Sequence, residues 1–239
     1  MAEVVVSLLS AVSSVSVMPS HLSETQTSSS RARLLDAAKR LFAAHGYEQS
    51  ATSAIAREAG TSESQLMRYF GGKVGLLEAL FEDAWTHLNA RVARAIATTD
   101  DSRDALLNAI QTLVSALARD RDLAALLMFE GRRMRGDEPR VRLSRGFLQF
   151  TETMRGLVKK SQALFRIDPT LDSNAVTSAM IGATEAMIRD RLLAKSGASR
   201  SFAEREIRRT LERMLKGFEG TARRSARGGP ATSRRGSRR

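Results

Sequence analysis

Residues 51–70, ATSAIAREAGTSESQLMRYF, hold the side chains whose types and spacing carry the clearest chemistry in this sequence. Ile55, Ala56 and Leu66 are apolar or small at positions where two short helices would cross, and Gly60 supplies a tight turn between them. Ser62 suits the start of the second helix, because its hydroxyl can accept from an orphan backbone N–H. Glu63, Ser64, Gln65 and Arg68 then point away from the apolar side. Two short helices joined by a turn containing glycine make a helix-turn-helix. One apolar face to hold a helix and one polar face to read a groove is what a DNA recognition helix needs. The chemistry implied is hydrogen bonding to phosphates and base edges, with double-stranded DNA as the partner.

Bond-making chemistry finds no comparable support. Cysteine is absent, which excludes disulfides, thiol catalysis and Cys-ligated zinc. His21, His45 and His87 stand far apart without ligand spacing. Gly71-Gly72-Lys73 lacks the spacing of a phosphate loop, and no strand precedes it. No nucleophile sits beside a base. The sequence therefore predicts a non-enzyme that needs neither metal nor cofactor.

The elements that must position this segment are helical nearly throughout. The chain has 239 residues, 42% hydrophobic and 27% charged, enough apolar material for a sizeable core. Leu34, Leu35, Ala38, Leu41 and Phe42 recur at helical spacing, predicting helix 1 over residues 30–45 with Gly46 as its stop. Helix 2 follows Ser50, and helix 3 spans residues 63–70. Helix 4 covers residues 73–97 and helix 5 residues 103–118; helix 6 covers 123–134. Helix 7 opens at Pro139 and runs to Phe165. Helix 8 follows Asp168-Pro169 and reaches Lys195; Ser201 and Glu204 read as a capping box for helix 9, which runs to Ala222. This is an all-α chain of about nine helices without strands, the short front three forming a unit distinct from the longer six.

From Arg31 to Leu80 the sequence resembles the N-terminal domain of TetR-family transcriptional regulators. The shared features are LLDAA…LF…GY in helix 1, IA…AG…S at the turn, L…YF ending helix 3, and Lys73 three residues after Phe70. Two positions depart from the family pattern: Ser50-Ala51 where Thr-Thr is frequent, and Met67 where Tyr is frequent. The resemblance implies phosphate contacts from Ser50 and Thr52 at the start of helix 2, and from Ser62, Tyr69 and Lys73. It implies base reading by Ser64 and Gln65. Arg68 would reach guanine or phosphate, and Glu63 would accept from cytosine. It also implies a ligand-responsive regulator, most often a repressor released from a palindromic operator by a small molecule, acting in the cytoplasm at the nucleoid.

Organisation follows from these readings. Residues 1–28 are expected to form a disordered leader, 29–82 the DNA-binding domain, 83–222 a ligand-binding and dimerisation body, and 223–239 a basic disordered tail. The apolar stretch 4–17 is too short and too Ser-rich to span a bilayer and lacks a basic start, and Met18 is an alternative first residue. The net charge is +12, yet residues 29–82 carry seven basic and six acidic side chains, so the excess lies elsewhere. Seven arginines sit in the tail, and others cluster around Arg132–Arg145. A non-specific nucleoid-type DNA binder is the alternative that this charge keeps open. In the body, Trp85, Leu88, Phe129, Phe147 and Met154 are candidates for a ligand pocket, or else plain core. A homodimer is expected through helices 8 and 9, using Ile181, Gly182, Ala183, Ala186 and Met187 with Leu211, Met214, Leu215 and Phe218.

Overall fold

The computed structural model describes residues 21–131, 144–194 and 203–219, with side chains from Ser30 onward. Most of the expected leader, the arginines between 132 and 142, Pro139, Lys195, Ser201 and the basic tail lie outside these residues. Within the described residues there are nine α-helices, one π-helical turn and no strand. They are α1 His21–His45, α2 Thr52–Glu58, α3 Glu63–Phe70, α4 Lys73–Ala97 and α5 Ser102–Arg119. Then follow α6 Arg121–Ala125, the π-turn Leu126–Glu130, α7 Arg145–Ala163, α8 Ser173–Leu193 and α9 Glu204–Gly217. None of these helices is long and apolar enough to cross a membrane.

One hydrophobic cluster runs through head and body. Leu34, Ala38 and Phe42 of α1 meet Ile55 and Leu66 of α2 and α3, and the same cluster continues along α4 through Leu77, Leu80, Trp85 and Leu88. The helix α4 packs on α1 and α3 at one end and on α5 and α7 further along. Helix α1 also touches α6 and the π-turn, giving the head a second attachment besides α4.

Several boundaries differ from the sequence reading, each for a physical reason. Helix α1 starts at His21, nine residues before its expected start at residue 30. No glycine or proline interrupts residues 20–45, so the backbone carries the helix beyond the stripe that burial marks. Helix 6 ends early, at Ala125, and the chain continues in the wider π geometry, Gly131 N–H bonding to the Leu126 carbonyl at 3.0 Å. Helix α7 begins at Arg145: Ser144 caps it, and Glu82 of α4 accepts from the Arg145 and Gly146 N–H groups. Half of that cap comes from 63 residues away, beyond the reach of a local motif. Asp168 does not open helix 8; its carboxylate closes a turn onto Thr170, and Asp172 caps α8 instead. Glu204 does not complete a capping box. Its carboxylate accepts from Ser115 of α5 at 2.5 Å, and Ala203 occupies the N-cap of α9.

The expected dimer surface changes too. Ile181, Leu211 and Leu215 are buried inside this chain, where α9 packs on α5 and α8, so they are not available to a second copy. Ala183, Met187, Met214 and Phe218 are half-buried against the same core. Gly182 and Ala186 remain on the outside of α8, in a row with Ala175, Ser178 and Ala179.

Candidate nucleic-acid interface and body cavity

The recognition segment is held by local backbone geometry. Helix α2 anchors through buried Ile55 and Ala56, and the chain reverses at Gly60, whose φ of 61° lies in the left-handed region favoured by glycine. The Thr61 N–H donates to the Ala56 carbonyl at 2.9 Å, and Arg33 Nε of α1 donates to the Ala59 carbonyl at 2.9 Å. Ser62 caps α3 by accepting from Gln65 N–H at 3.2 Å. Leu66 is fully buried and pins α3 to the head core. At the other end Gly71 takes φ 69°, and α4 follows almost at once. A Cβ on Gly75 would stand 1.9 Å from the Phe70 carbonyl oxygen, so the α3–α4 junction admits only glycine there.

The structure divides the expected DNA-contacting residues into two groups. Ser64 and Arg68 are exposed on one face of α3, and Ser62 is exposed at its cap. Arg68 lies over the Tyr69 ring at 5.3 Å. Thr52 stands at the start of α2, its hydroxyl donating to Glu63 across the turn. Gln65 is only half-exposed, and its Oε1 accepts from the Thr61 hydroxyl, which limits its freedom as a reader. Two residues are turned to other tasks, and the hydroxyl of a third is withdrawn from solvent. Ser50 is buried, its hydroxyl donating to the Gly46 carbonyl at 2.8 Å with the Leu41 carbonyl at 3.2 Å. Lys73 Nζ donates to the Tyr47 and Glu48 carbonyls at 3.1 Å and sits over the Tyr47 ring at 4.6 Å. The Tyr69 hydroxyl is buried and takes no hydrogen bond among the described residues. Exposed Met67, between Ser64 and Arg68 in the sequence, was not among the expected readers.

In the body, a small apolar cavity of about 20 Å³ lies between α4, α5, α7, α8 and the π-turn. Trp85 and Phe147 line it, their rings 5.3 Å apart, with Ile110, Leu127, Met128 and Phe150 around them. The other expected pocket residues go elsewhere. Met154 is fully buried core, Phe129 is 39% exposed on the surface, and Leu88 lines a separate open groove between α1 and α4. That groove, about 520 Å³, also carries Arg31, Lys39, Asp83, His87, Arg91 and Asp120. Among the described residues no group of three His, Asp or Glu side chains is placed to hold a metal ion.

One ion pair joins head to body across the floor of this groove. Lys39 Nζ of α1 lies 2.8 Å from Asp120, which also caps α6 by accepting from Leu123 N–H at 3.0 Å. Burial works against both charges. The hydrogen bond and mutual attraction outweigh it, holding Lys39 above its ordinary range and, with the Leu123 N–H, Asp120 below its own.

Comparison with known proteins agrees with this geometry. The family described as bacterial regulatory proteins, tetR family, matches residues 34–80. The fatty acid metabolism regulator protein of Bacillus subtilis is 31% identical over 98 residues, 41% of this chain and 50% of that one. The transcriptional activator FasR of Mycolicibacterium smegmatis is 31% identical over 90 residues, 38% of this chain and 41% of that one. The chain thus spans about half the length, or less, of these curated relatives. The crystal structure of FadR from Bacillus subtilis in complex with stearoyl-CoA superposes with a TM-score of 0.66 at 20% identity, over 79% of this chain and 97% of that one, and so shares its fold. Residues 34–80 thus resemble the tetR family of bacterial regulatory proteins, and the described residues share the fold of the FadR structure.

Proposed function

We propose that this chain is a ligand-responsive, sequence-specific transcriptional regulator: a cytoplasmic homodimer that represses from a palindromic operator and leaves it when an apolar small molecule enters the body. In this reading residues 29–82 are the reading head and the body begins at residue 83. The observation that carries it is the Lys39–Asp120 tie, which fastens the DNA-facing unit to the helix that leads into the cavity wall.

The linkage is physical. A cavity of about 20 Å³ holds roughly one water, so any larger ligand must push a wall outward. The π-turn supplies Leu127 and Met128 to that wall, and α6, just before it, is capped by Asp120. Displacing the π-turn therefore loads Asp120, which caps α6 and pairs with Lys39 of α1. A ligand that binds better to the displaced arrangement shifts the population of head positions. Two heads in a dimer must meet successive major grooves about 34 Å apart, so a small change in their spacing discriminates bound from free. The exposed row Ala175, Ser178, Ala179, Gly182 and Ala186 on α8 supports close approach of a second copy there.

The lining of Trp85, Ile110, Phe147 and Phe150 favours an apolar ligand, and the stearoyl-CoA bound by the Bacillus subtilis relative makes long-chain acyl groups the first class to test. The experiment is genome-wide binding followed by titration of the selected site with stearoyl-CoA. The expected result is a discrete palindrome and release on addition of ligand. Uniform coverage of DNA would favour the nucleoid-type alternative, and retained binding would remove acyl-CoA as the effector. Transcription from the same site, falling rather than rising on deletion of the protein, would make it an activator.

A further inference from the structure

We propose that Met67 reads a thymine in each half-site, through the 5-methyl group of the base. This rests on the DNA-binding reading above and adds a residue to it.

The assignment starts from the face of α3 opposite its anchor. Leu66 is fully buried, whereas Ser64, Met67 and Arg68, at i, i+3 and i+4, share the outer surface. Several other polar residues around α3 are already engaged. Thr52 and Glu63 bond each other, Thr61 holds the Gln65 carbonyl oxygen, and Ser50 and Lys73 serve the α1–α2 turn. The free outer face therefore consists of a hydroxyl, a thioether and a guanidinium.

Met67 is 50% exposed, in the middle of the surface that is otherwise polar. It is not needed to hold α3, because Leu66 does that. Its tip is nonetheless placed: Sδ and Cε lie 3.9 and 4.0 Å from where a Cβ on Gly72 would stand, so the side chain rests along the glycine turn. In the major groove three of the four bases offer only polar edges, while thymine alone adds a methyl group. A flexible, polarisable thioether is suited to that methyl, having no hydrogen bond to satisfy. Ser64 and Arg68, on either side, can bond the polar edges and phosphates of the neighbouring steps.

The test uses the operator selected by the wild-type protein, with each thymine replaced in turn by deoxyuridine, which removes only the methyl. Wild-type affinity is expected to fall about four-fold at one thymine per half-site, the effect of burying a single methyl group. Met67→Ala is expected to bind thymine and uracil operators alike, and Met67→Leu to restore the difference. Circular dichroism and melting of both variants check that the fold is kept. A thymine-to-uracil ratio unchanged by Met67→Ala overturns the assignment. So does an equal loss on operator and random DNA, which would place Met67 on the sugar–phosphate backbone. A wild-type protein that prefers no sequence at all overturns the DNA reading and, with it, the role of Met67.

Discussion

The reading head and the body cavity are built in opposite ways. The head takes its geometry from neighbours in sequence: Gly60 turns the chain, Ser62 caps α3 within three residues, and Gly71 ends it. The cavity takes its walls from five elements, with Trp85 and Ile188 at its extremes in the chain. A surface that must offer fixed donors to DNA is set by short-range bonds. The cavity, which in the proposed reading yields to a ligand, is set by side-chain packing between elements far apart in the chain. The ion pair of Lys39 and Asp120 is where the rigid unit and the yielding one are fastened.

The largest expected effect asks whether the two regions are separately stable. Leu66→Ala removes a fully buried anchor of α3 and should cost about 2–5 kcal/mol. Because the hydrophobic cluster is continuous along α4, thermal unfolding should stay a single transition with a lowered midpoint. Two resolved transitions, the first abolishing DNA binding, would show the head unfolding by itself. Next, Gly146→Ala sets a Cβ 2.3 Å from the Trp85 Cβ and pries α7 off α4. Overpacking of this kind costs about 1–3 kcal/mol. It should change the cavity while sparing operator sequence preference, and an altered binding motif would break the division between the two regions.

A smaller effect tests the fastening. Lys39→Ala and Asp120→Asn, combined in a double-mutant cycle, should show a coupling of about 1 kcal/mol. The double variant should keep operator binding but respond less to ligand. Asp120 is held below its ordinary range, so its contribution is present above the usual carboxylate pKa and is lost as pH falls through the lowered value. Lys39 is held above its range, so its share is lost only as pH rises through the raised value. Melting temperature measured against pH should therefore show this contribution across the neutral range and its loss at the acid end. An acid limb unchanged by Asp120→Asn would count against it. The smallest effect concerns Ser50. Ser50→Ala removes the one donor shared between the Gly46 and Leu41 carbonyls and should cost about 1 kcal/mol of stability. The salt dependence of operator affinity should stay as it was. A flatter salt slope would return Ser50 to the phosphate contacts.

How legible these regions were in the sequence follows from the same contrast. Residues 51–70 could be read closely, because Gly60, Ser62 and Leu66 act on their immediate neighbours. The roles of Ser50 and Lys73 could not, because the carbonyls they bond lie at the end of α1 and in the turn after it, 25 and 26 residues away in the case of Lys73. Periodicity marked α4 as a buried stripe but said nothing of what lies opposite each residue. Trp85 and Leu88 are one turn apart on that stripe, yet one faces the cavity and the other the groove. The same gap misplaced the α9 stripe: Leu211 and Leu215 are apolar at the right spacing for an interface, and α5 and α8 already cover them. The start of α7 depended on Glu82, a cap delivered from another helix.

The π-turn has a consequence of its own as a place where the chain keeps count. Each α-helical residue advances about 1.5 Å and turns about 100°. A π-turn carries one residue more than an α-turn would, as a loop of spare thread does on a screw. Taking up that residue would rotate Leu127 and Met128 together by about one position and draw the chain after Glu130 along by one step. Gly131 guards the end of the spare turn, since a Cβ there would stand 2.8 Å from the Leu127 carbonyl oxygen. Straightening the segment to α-helical geometry would therefore move these side chains by a whole residue. In a body that sensed by such a step each molecule would stand in one register or the other, and the ligand concentration would set the fraction in each.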